Sequence, residues 1–253
     1  MLARRVIPCL DCDVRNGRVV VLKGRKFGRP RYAGMPVELA AGYQHADELV
    51  MLDIGATVQR RTPFLGVIAD VSSVCSIPLC VGGGIRSIRD CEARIKHGAE
   101  QCSINTAALD RPALISECAR EFGSQAVVIA VDAKRAGNSF FCFADAGTRQ
   151  TGHTLDKWLP EIDARGAGEV LLTSIDRDGT GKGFDIEMLR AAGEASSLPL
   201  IASGGCSSVN DIVEVFQKTK ASGALAAGIF HFGKATVEGC KKELAARGIE
   251  VRA

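Results

Sequence analysis

The sequence predicts an α/β fold, a (β/α)8 TIM barrel made of two half-barrels related by a pseudo-two-fold axis, with residues 1–253 as one domain. Three observations carry that expectation. Short apolar runs alternate with helix-patterned segments along the whole chain. The runs are rich in Val, Ile and Leu without polar alternation, as in strands buried on both faces. Several runs recur at a fixed offset of 121 residues, the separation of Asp11 and Asp132. A doubly wound open sheet is the alternative that the same alternation allows.

The candidate strands are 5–10, 48–53, 79–81, 101–104, 126–131, 169–173, 200–202 and 223–226. Ser87-Ile-Arg-Asp90 reads as a capping box, followed by Ile88, Cys91 and Ile95 on one face and Gly98 as the stop. Asp110 caps a further helix with Pro112 in its first turn and Leu114, Ile115, Cys118 and Phe122 on the buried side. Ser208-Val-Asn-Asp211 opens another, with Val209, Ile212, Val213 and Phe216 inward. Residues 12–35 are polar, basic and Gly-rich, and read as a mobile lid. Phe140-Phe-Cys-Phe143, between Gly137-Asn138 and Gly147, reads as a small hairpin. Pro160 falls inside a helical pattern and is expected to kink it.

Composition narrows the function classes. An apolar content of 46% allows a large core, and a net charge of +3 does not suggest nucleic acid. No apolar run is long enough to span a bilayer, and Met1-Leu-Ala-Arg-Arg5 leads directly into a strand rather than forming a signal peptide. The ten cysteines are scattered through apolar runs, as at Cys80, Cys102 and Cys118, which fits free thiols in a reducing cytoplasm. Cys9-Leu-Asp-Cys12 has no second pair, so neither a metal nor another cofactor is expected.

The repeat locates the chemistry. Besides Asp11 and Asp132, it aligns Glu48 with Glu169, Val81-Gly-Gly-Gly84 with Ala202-Ser-Gly-Gly205, and Cys102–Asn105 with Gly223–Ala226. Two half-barrels place the end of strand 1 opposite the end of strand 5, and barrel chemistry sits at the C-terminal ends of strands. Asp11 and Asp132 are therefore candidates for paired acid–base work. The turns holding Gly84 and Gly204-Gly205, each beside a second loop carrying Asn105-Thr106 or Ala227-Gly228, suit phosphate binding by backbone N–H groups. Two such sites imply a substrate phosphorylated at both ends. Asp176-Arg-Asp-Gly-Thr180 belongs with the second site, with Asp178 orienting a hydroxyl or reacting group beside Gly179. At the opposite end of the strands stand Arg5, Glu48, Gln101 and Glu169, read by themselves as a polar plug.

Cys9-Leu-Asp11, Asp47-Glu-Leu-Val-Met-Leu-Asp53, Val81–Ile85, Ser103–Ala108, Val131-Asp-Ala-Lys-Arg135, Leu172–Thr180, Ile201–Gly205 and Phe230-His-Phe232 together resemble the cyclase subunit of imidazole glycerol phosphate synthase, from histidine biosynthesis. The resemblance implies Asp11 and Asp132 as catalytic groups and Lys23 as a loop residue at the substrate. It implies a glutaminase partner on the N-terminal face of the barrel, and ammonia passing through a gate formed by Arg5, Glu48, Gln101 and Glu169. The family usually carries lysine where Gln101 stands, and the stretch between Asp11 and Lys23 is longer than usual. The sister phosphoribosyl isomerase barrel, or a paralogue delivering ammonia to another acceptor, are the alternatives.

Overall fold

Parallel strands cannot be joined by tight turns, so a helix returns the chain to the same end of the sheet between one strand and the next. The computed structural model describes residues 3–23, 31–59 and 64–252. Its strands in chain order are β1 (Arg5–Arg15), β2 (Arg18–Lys23), β3 (Arg31–Gly34), β4 (Leu49–Asp53), β5 (Leu79–Gly82), β6 (Gln101–Ile104), β7 (Val127–Ala136), β8 (Ser139–Ala144), β9 (Arg149–Thr154), β10 (Glu169–Ser174), β11 (Leu200–Ser203) and β12 (Gly223–Ala226). The helices are α1 (Pro36–Ala41), α2 (Ala56–Gln59), α3 (Leu65–Val74), α4 (Ile88–Lys96), α5 (Thr106–Asp110), α6 (Ala113–Phe122), α7 (Leu155–Ala164), α8 (Ile186–Ala195), α9 (Val209–Lys218), α10 (Gly228–His231) and α11 (Val237–Ala246). Eight strands pair in parallel in the cyclic order β1–β4–β5–β6–β7–β10–β11–β12, and β12 returns to β1 through Arg5↔Gly223 and its neighbours. The sheet is closed, which excludes the open doubly wound alternative.

Alternation along each strand sends successive side chains to opposite faces. One face fills the barrel interior with Ile7, Cys9, Val50, Cys80, Val128, Leu171, Ile201 and Leu225. The other packs Val6, Leu10, Leu49, Met51, Ile129 and Val131 against helix residues such as Ile68, Cys91 and Leu114. Each such fully buried aliphatic side chain contributes about 1.5–3 kcal/mol. Cys9 and Cys12 fall on opposite faces of β1, so the CxxC spacing does not form a motif. All ten cysteines are free thiols.

The repeat is visible in strand register and differs from the sequence alignment in one place. Asp11 pairs with Leu52 and Asp132 with Thr173; Val50 pairs with Cys80 and Leu171 with Ile201. These hold the offset of 121. Cys80 then pairs with Gln101, whereas Ile201 pairs with Gly223, so Gln101 corresponds to Gly223 and Asn105 to Ala227. The added residue lies after the shared capping positions Ser87 and Ser208, where α9 is one residue longer than α4. A short apolar string aligns in either frame. Only the frame with the extra residue keeps inward side chains inward.

Three further expectations change. The described parts of residues 12–35 are largely paired strand rather than loop: β1 runs on to Arg15, β2 pairs antiparallel with it and β3 antiparallel with β2, while residues 24–30 lie outside the described residues. Asn16 and Gly17, both at positive φ, make the tight turn, and the Asn-Gly pair, flanked by Arg15 and Arg18 with Val14 and Val19 beyond them, is its signal in the sequence. Asp110 does not cap α6; it ends α5, a short helix the periodicity did not reveal, and Pro112 occupies the N-cap of α6. Ala126 belongs to a 3-10 turn, and β7 begins at Val127. The Phe140–Phe143 hairpin is present and gains a third strand, β9. Helix α7 runs through Pro160 without ending there.

Asp47 ties the start of β1 to the last helix. Its Oδ2 accepts from the Val6 amide at 2.8 Å, and its Oδ1 pairs with Lys241 Nζ at 2.8 Å, the Asp47 side chain being 1% exposed and that of Lys241 12%. Asp47→Ala leaves an uncompensated ammonium in that place. The expected loss is about 3 kcal/mol in urea unfolding, with a smaller loss for Asp47→Asn, which keeps an acceptor for Val6.

Candidate active site

The inward face of β1 reads Arg5, Ile7, Cys9, Asp11, and that of β7 reads Val128, Ala130, Asp132. β1 and β7 stand four places apart in the ring of eight, so Asp11 and Asp132 face the C-terminal mouth from opposite walls. Both are half-buried. Asn105 Nδ2 donates to Asp132 Oδ2 at 3.0 Å, and Cys9 Sγ lies 3.5 Å from Asp11 Oδ1. Asn105 occupies the N-cap of α5, yet its side chain makes no cap bond. It is turned to the aspartate instead. Ala227, its counterpart beside β1, cannot make that contact, so the two carboxylates differ in environment.

The Gly-rich turns are equivalent in conformation. Gly83 and Gly204 have φ of 94° and 91°. A Cβ at Gly83 would overlap the Asp53 backbone, and one at Gly204 would press on the Ser174 carbonyl, its symmetry equivalent. Glycine is thus required there for backbone approach whatever binds. Gly84 and Gly205 follow, and the Gly205 carbonyl accepts from the Gly183 amide at 2.9 Å. That bond, with the Asp178 amide donating to Ser174 O at 2.9 Å, folds the loop carrying Asp178 and Gly179 onto the second turn. Ala227 and Gly228 open α10, with Ala227 O accepting from Phe230 and His231. Thr106 Oγ1 accepts from the Asp145 amide at 2.9 Å and so anchors the turn between β8 and β9. Lys23 ends β2; its side chain, with residues 24–30, lies outside the described residues.

At the N-terminal end of the barrel, Arg5 draws two buried carboxylates together. Arg5 Nη1 donates to Glu48 Oε2 at 2.9 Å and to Glu169 Oε2 at 3.1 Å, Nη2 donates to Glu169 Oε1, and Nη2 also reaches Ser222 Oγ at 3.2 Å. Among the described residues Gln101 does not join them by hydrogen bond: its Nε2 donates to the Gln125 carbonyl at 3.1 Å, while its Oε1 is buried without a partner there. The four-membered ring is therefore a triad with an amide beside it. Ser222 was not singled out from the sequence, and nothing in its local pattern marks it.

A second group missed in the sequence lies behind β1. The His231 ring spans Tyr43 Oη, 2.6 Å from Nδ1, and the Cys9 carbonyl, 2.9 Å from Nε2. The carbonyl only accepts, so Nε2 carries a proton, and Nδ1 shares a hydrogen bond with the Tyr43 hydroxyl. Burial raises the Tyr43 pKa, which keeps its hydroxyl a donor. The chain holds β1 two residues before Asp11. Among the described residues, no group of three or more His, Cys, Asp or Glu is placed to hold a metal ion. No helix among them is long and apolar enough to cross a membrane.

Fold and mouth define a duplicated (β/α)8 barrel with one carboxylate from each half at its C-terminal end. A family model described as histidine biosynthesis protein matches residues 5–236, and the chain belongs to that family. Curated relatives align over its full length. The protein from Dehalococcoides mccartyi is 48% identical over 254 residues, covering 100% of this chain and 99% of the relative. Those from Lactococcus lactis subsp. cremoris and Metallosphaera sedula are 47% and 46% identical, covering 100% of this chain and 97% and 100% of theirs. All three bear the name imidazole glycerol phosphate synthase subunit HisF.

Burial holds the Glu48 carboxyl up at about 7, with Arg5 pulling it down and Glu169 pushing it up. Its ordinary value is 4.5, so the unfolded chain releases this proton first and stability falls as pH rises from about 4.5 to 7. In urea unfolding at several pH values, the difference between wild type and Glu48→Gln is expected to move toward the variant across that window and stay level above pH about 8.

Proposed function

We propose that this chain is the cyclase subunit that uses ammonia from a partner glutaminase. It converts phosphoribulosyl formimino aminoimidazole carboxamide ribotide to imidazole glycerol phosphate and aminoimidazole carboxamide ribotide. The observation that carries the reading is full-length identity of 46–48% to relatives bearing that subunit name. The sister isomerase and the alternative acceptor have no such support.

The chemistry asks for groups that move protons on both sides of a bound substrate. Ammonia adds to the ketose carbonyl and water leaves, giving an imine. Ring closure follows, and cleavage of a C–N bond releases the carboxamide ribotide. Asp11 and Asp132, on opposite walls of the mouth, take and return the protons of these steps. Asn105 Nδ2 donates to one oxygen of Asp132 and so orients the carboxylate at the mouth. The two phosphate ends are assigned to the turns at Gly84 with Asn105-Thr106, and at Gly204-Gly205 with Asp178, Gly179, Ala227 and Gly228. Lys23, at the end of β2, is assigned to the substrate.

The glutaminase is assigned to the N-terminal face. Ammonia then enters beside Arg5, Glu48 and Glu169, and the buried, unpartnered oxygens Glu48 Oε1 and Gln101 Oε1 offer it acceptors on the way in. Its entry requires the Arg5 pairs to part or the Gln101 amide to swing.

Two assays test the reading. With ammonium salt, wild type is expected to form imidazole glycerol phosphate, and Asp132→Asn or Asp11→Asn to lose at least about 100-fold in kcat; unchanged cyclisation in Asp132→Asn, or turnover only as an isomerase, overturns the assignment. With glutamine and a glutaminase, Gln101→Lys is expected to change turnover more than it does with ammonium salt. Equal effects on both rates count against a gate at this end.

A further inference from the structure

Arg94 lies on α4, is only 1% exposed, and points beneath the first Gly-rich turn. Its Nη2 donates to the Gly83 carbonyl at 2.7 Å and its Nη1 to the Asp90 carbonyl at 2.8 Å, while its Nε is buried without a partner. Among the described residues it makes no ion pair. A guanidinium taken out of water is ordinarily matched by a carboxylate. The carboxylates whose charge reaches it, Asp90 and Asp53, are engaged elsewhere. Asp90 accepts from the Arg86 amide and the Ser87 hydroxyl, and Asp53 from the amides of Gly55 and Ala56. The structure thus holds a fixed buried positive charge against a turn whose far side opens on the barrel mouth. The peptide between Gly83 and Gly84 is planar and trans, so its N–H leaves on the edge opposite the carbonyl that Arg94 grips. A charged donor on that carbonyl polarises the peptide and strengthens the N–H as a donor.

The second half-barrel has nothing comparable. Val215 stands at the same distance from its N-cap Ser208 as Arg94 from Ser87, and it is fully buried core. The two Gly-rich turns match in backbone and differ in the charge beneath them.

We propose that Arg94 is a positioning residue for one phosphate subsite: it fixes the Gly83–Gly84 peptide and supplies the buried charge that a phosphate dianion neutralises, so the two ends of a bisphosphorylated substrate bind unequally. This rests on the reading that the first Gly-rich turn takes a phosphate. The proposal makes no claim about the proton-transfer steps.

The test titrates inorganic phosphate calorimetrically into the full chain as wild type, Arg94→Gln and Arg94→Lys, and measures ammonium-dependent kinetics of each. Both variants lose the forked guanidinium; only Gln loses the charge. Arg94→Gln is expected to weaken one phosphate site about tenfold and raise KM about tenfold with kcat within about twofold, while Arg94→Lys stays within about threefold of wild type. Unchanged phosphate affinity in Arg94→Gln, equal weakening in both variants, or a fall in kcat with KM unmoved overturns it. Should Arg94→Gln not fold, Arg94→Lys decides: phosphate affinity within about threefold supports the proposal and a loss of about tenfold overturns it. Wild type that binds phosphate without ammonia-dependent ring closure of the substrate refutes the proposed reaction and leaves Arg94 to the titration. Wild type that binds no phosphate overturns both.

Discussion

Closure of the sheet by β12 on β1 is the constraint on which the other features depend. Once Arg5 pairs with Gly223, alternation along β1 sends Arg5, Ile7, Cys9 and Asp11 into the interior and Val6, Pro8, Leu10 and Cys12 toward the helices. A slip of one residue would bury the helix-facing set in the barrel and expel both the ion-pair triad and the aspartate. The same column spans the barrel from its N-terminal triad to its C-terminal carboxylate, six residues or roughly 20 Å apart in an extended strand. One strand therefore carries both the buried ion-pair triad and the mouth carboxylate, and its position is held from outside by Asp47 and by the Tyr43–His231 chain.

The pseudo-two-fold symmetry is exact where backbone register is concerned and broken where chemistry is concerned. Glu48 and Glu169, Asp11 and Asp132, and Gly83 and Gly204 are kept as pairs. Asn105 against Ala227, Arg5 against Ala126 and Arg94 against Val215 are not. Packing tolerates these exchanges because each site was already walled by the same strands and turns. A substrate whose two ends are unlike needs such differences, since a perfectly symmetric mouth would bind it in two orientations.

The buried charges are arranged by the same economy. Arg5 satisfies two carboxylates and one hydroxyl, so three ionisable groups share one small volume at the barrel base. Burial outweighs that attraction at Glu48, whose carboxyl is held near neutrality. Arg94 has the opposite arrangement: a charge gripped by carbonyl oxygens alone. Each is costly in isolation, and each sits where an approaching molecule would alter the balance.

The order of strands and helices, the duplication and the two mouth aspartates were legible in the sequence, because buried strands are apolar, their ends carry the exceptions, and duplicated segments keep both features. The Asn16-Gly17 turn was also legible, from the residue pair that tolerates positive φ at both central positions. The extra residue within α9, the bond from Asn105 to Asp132, the turn of Gln101 toward Gln125 and the burial of Arg94 were decided only by the tertiary structure. Inward and outward faces are assigned by hydrogen-bond register between strands far apart in sequence, and a side chain's partner depends on which neighbour that register brings within reach.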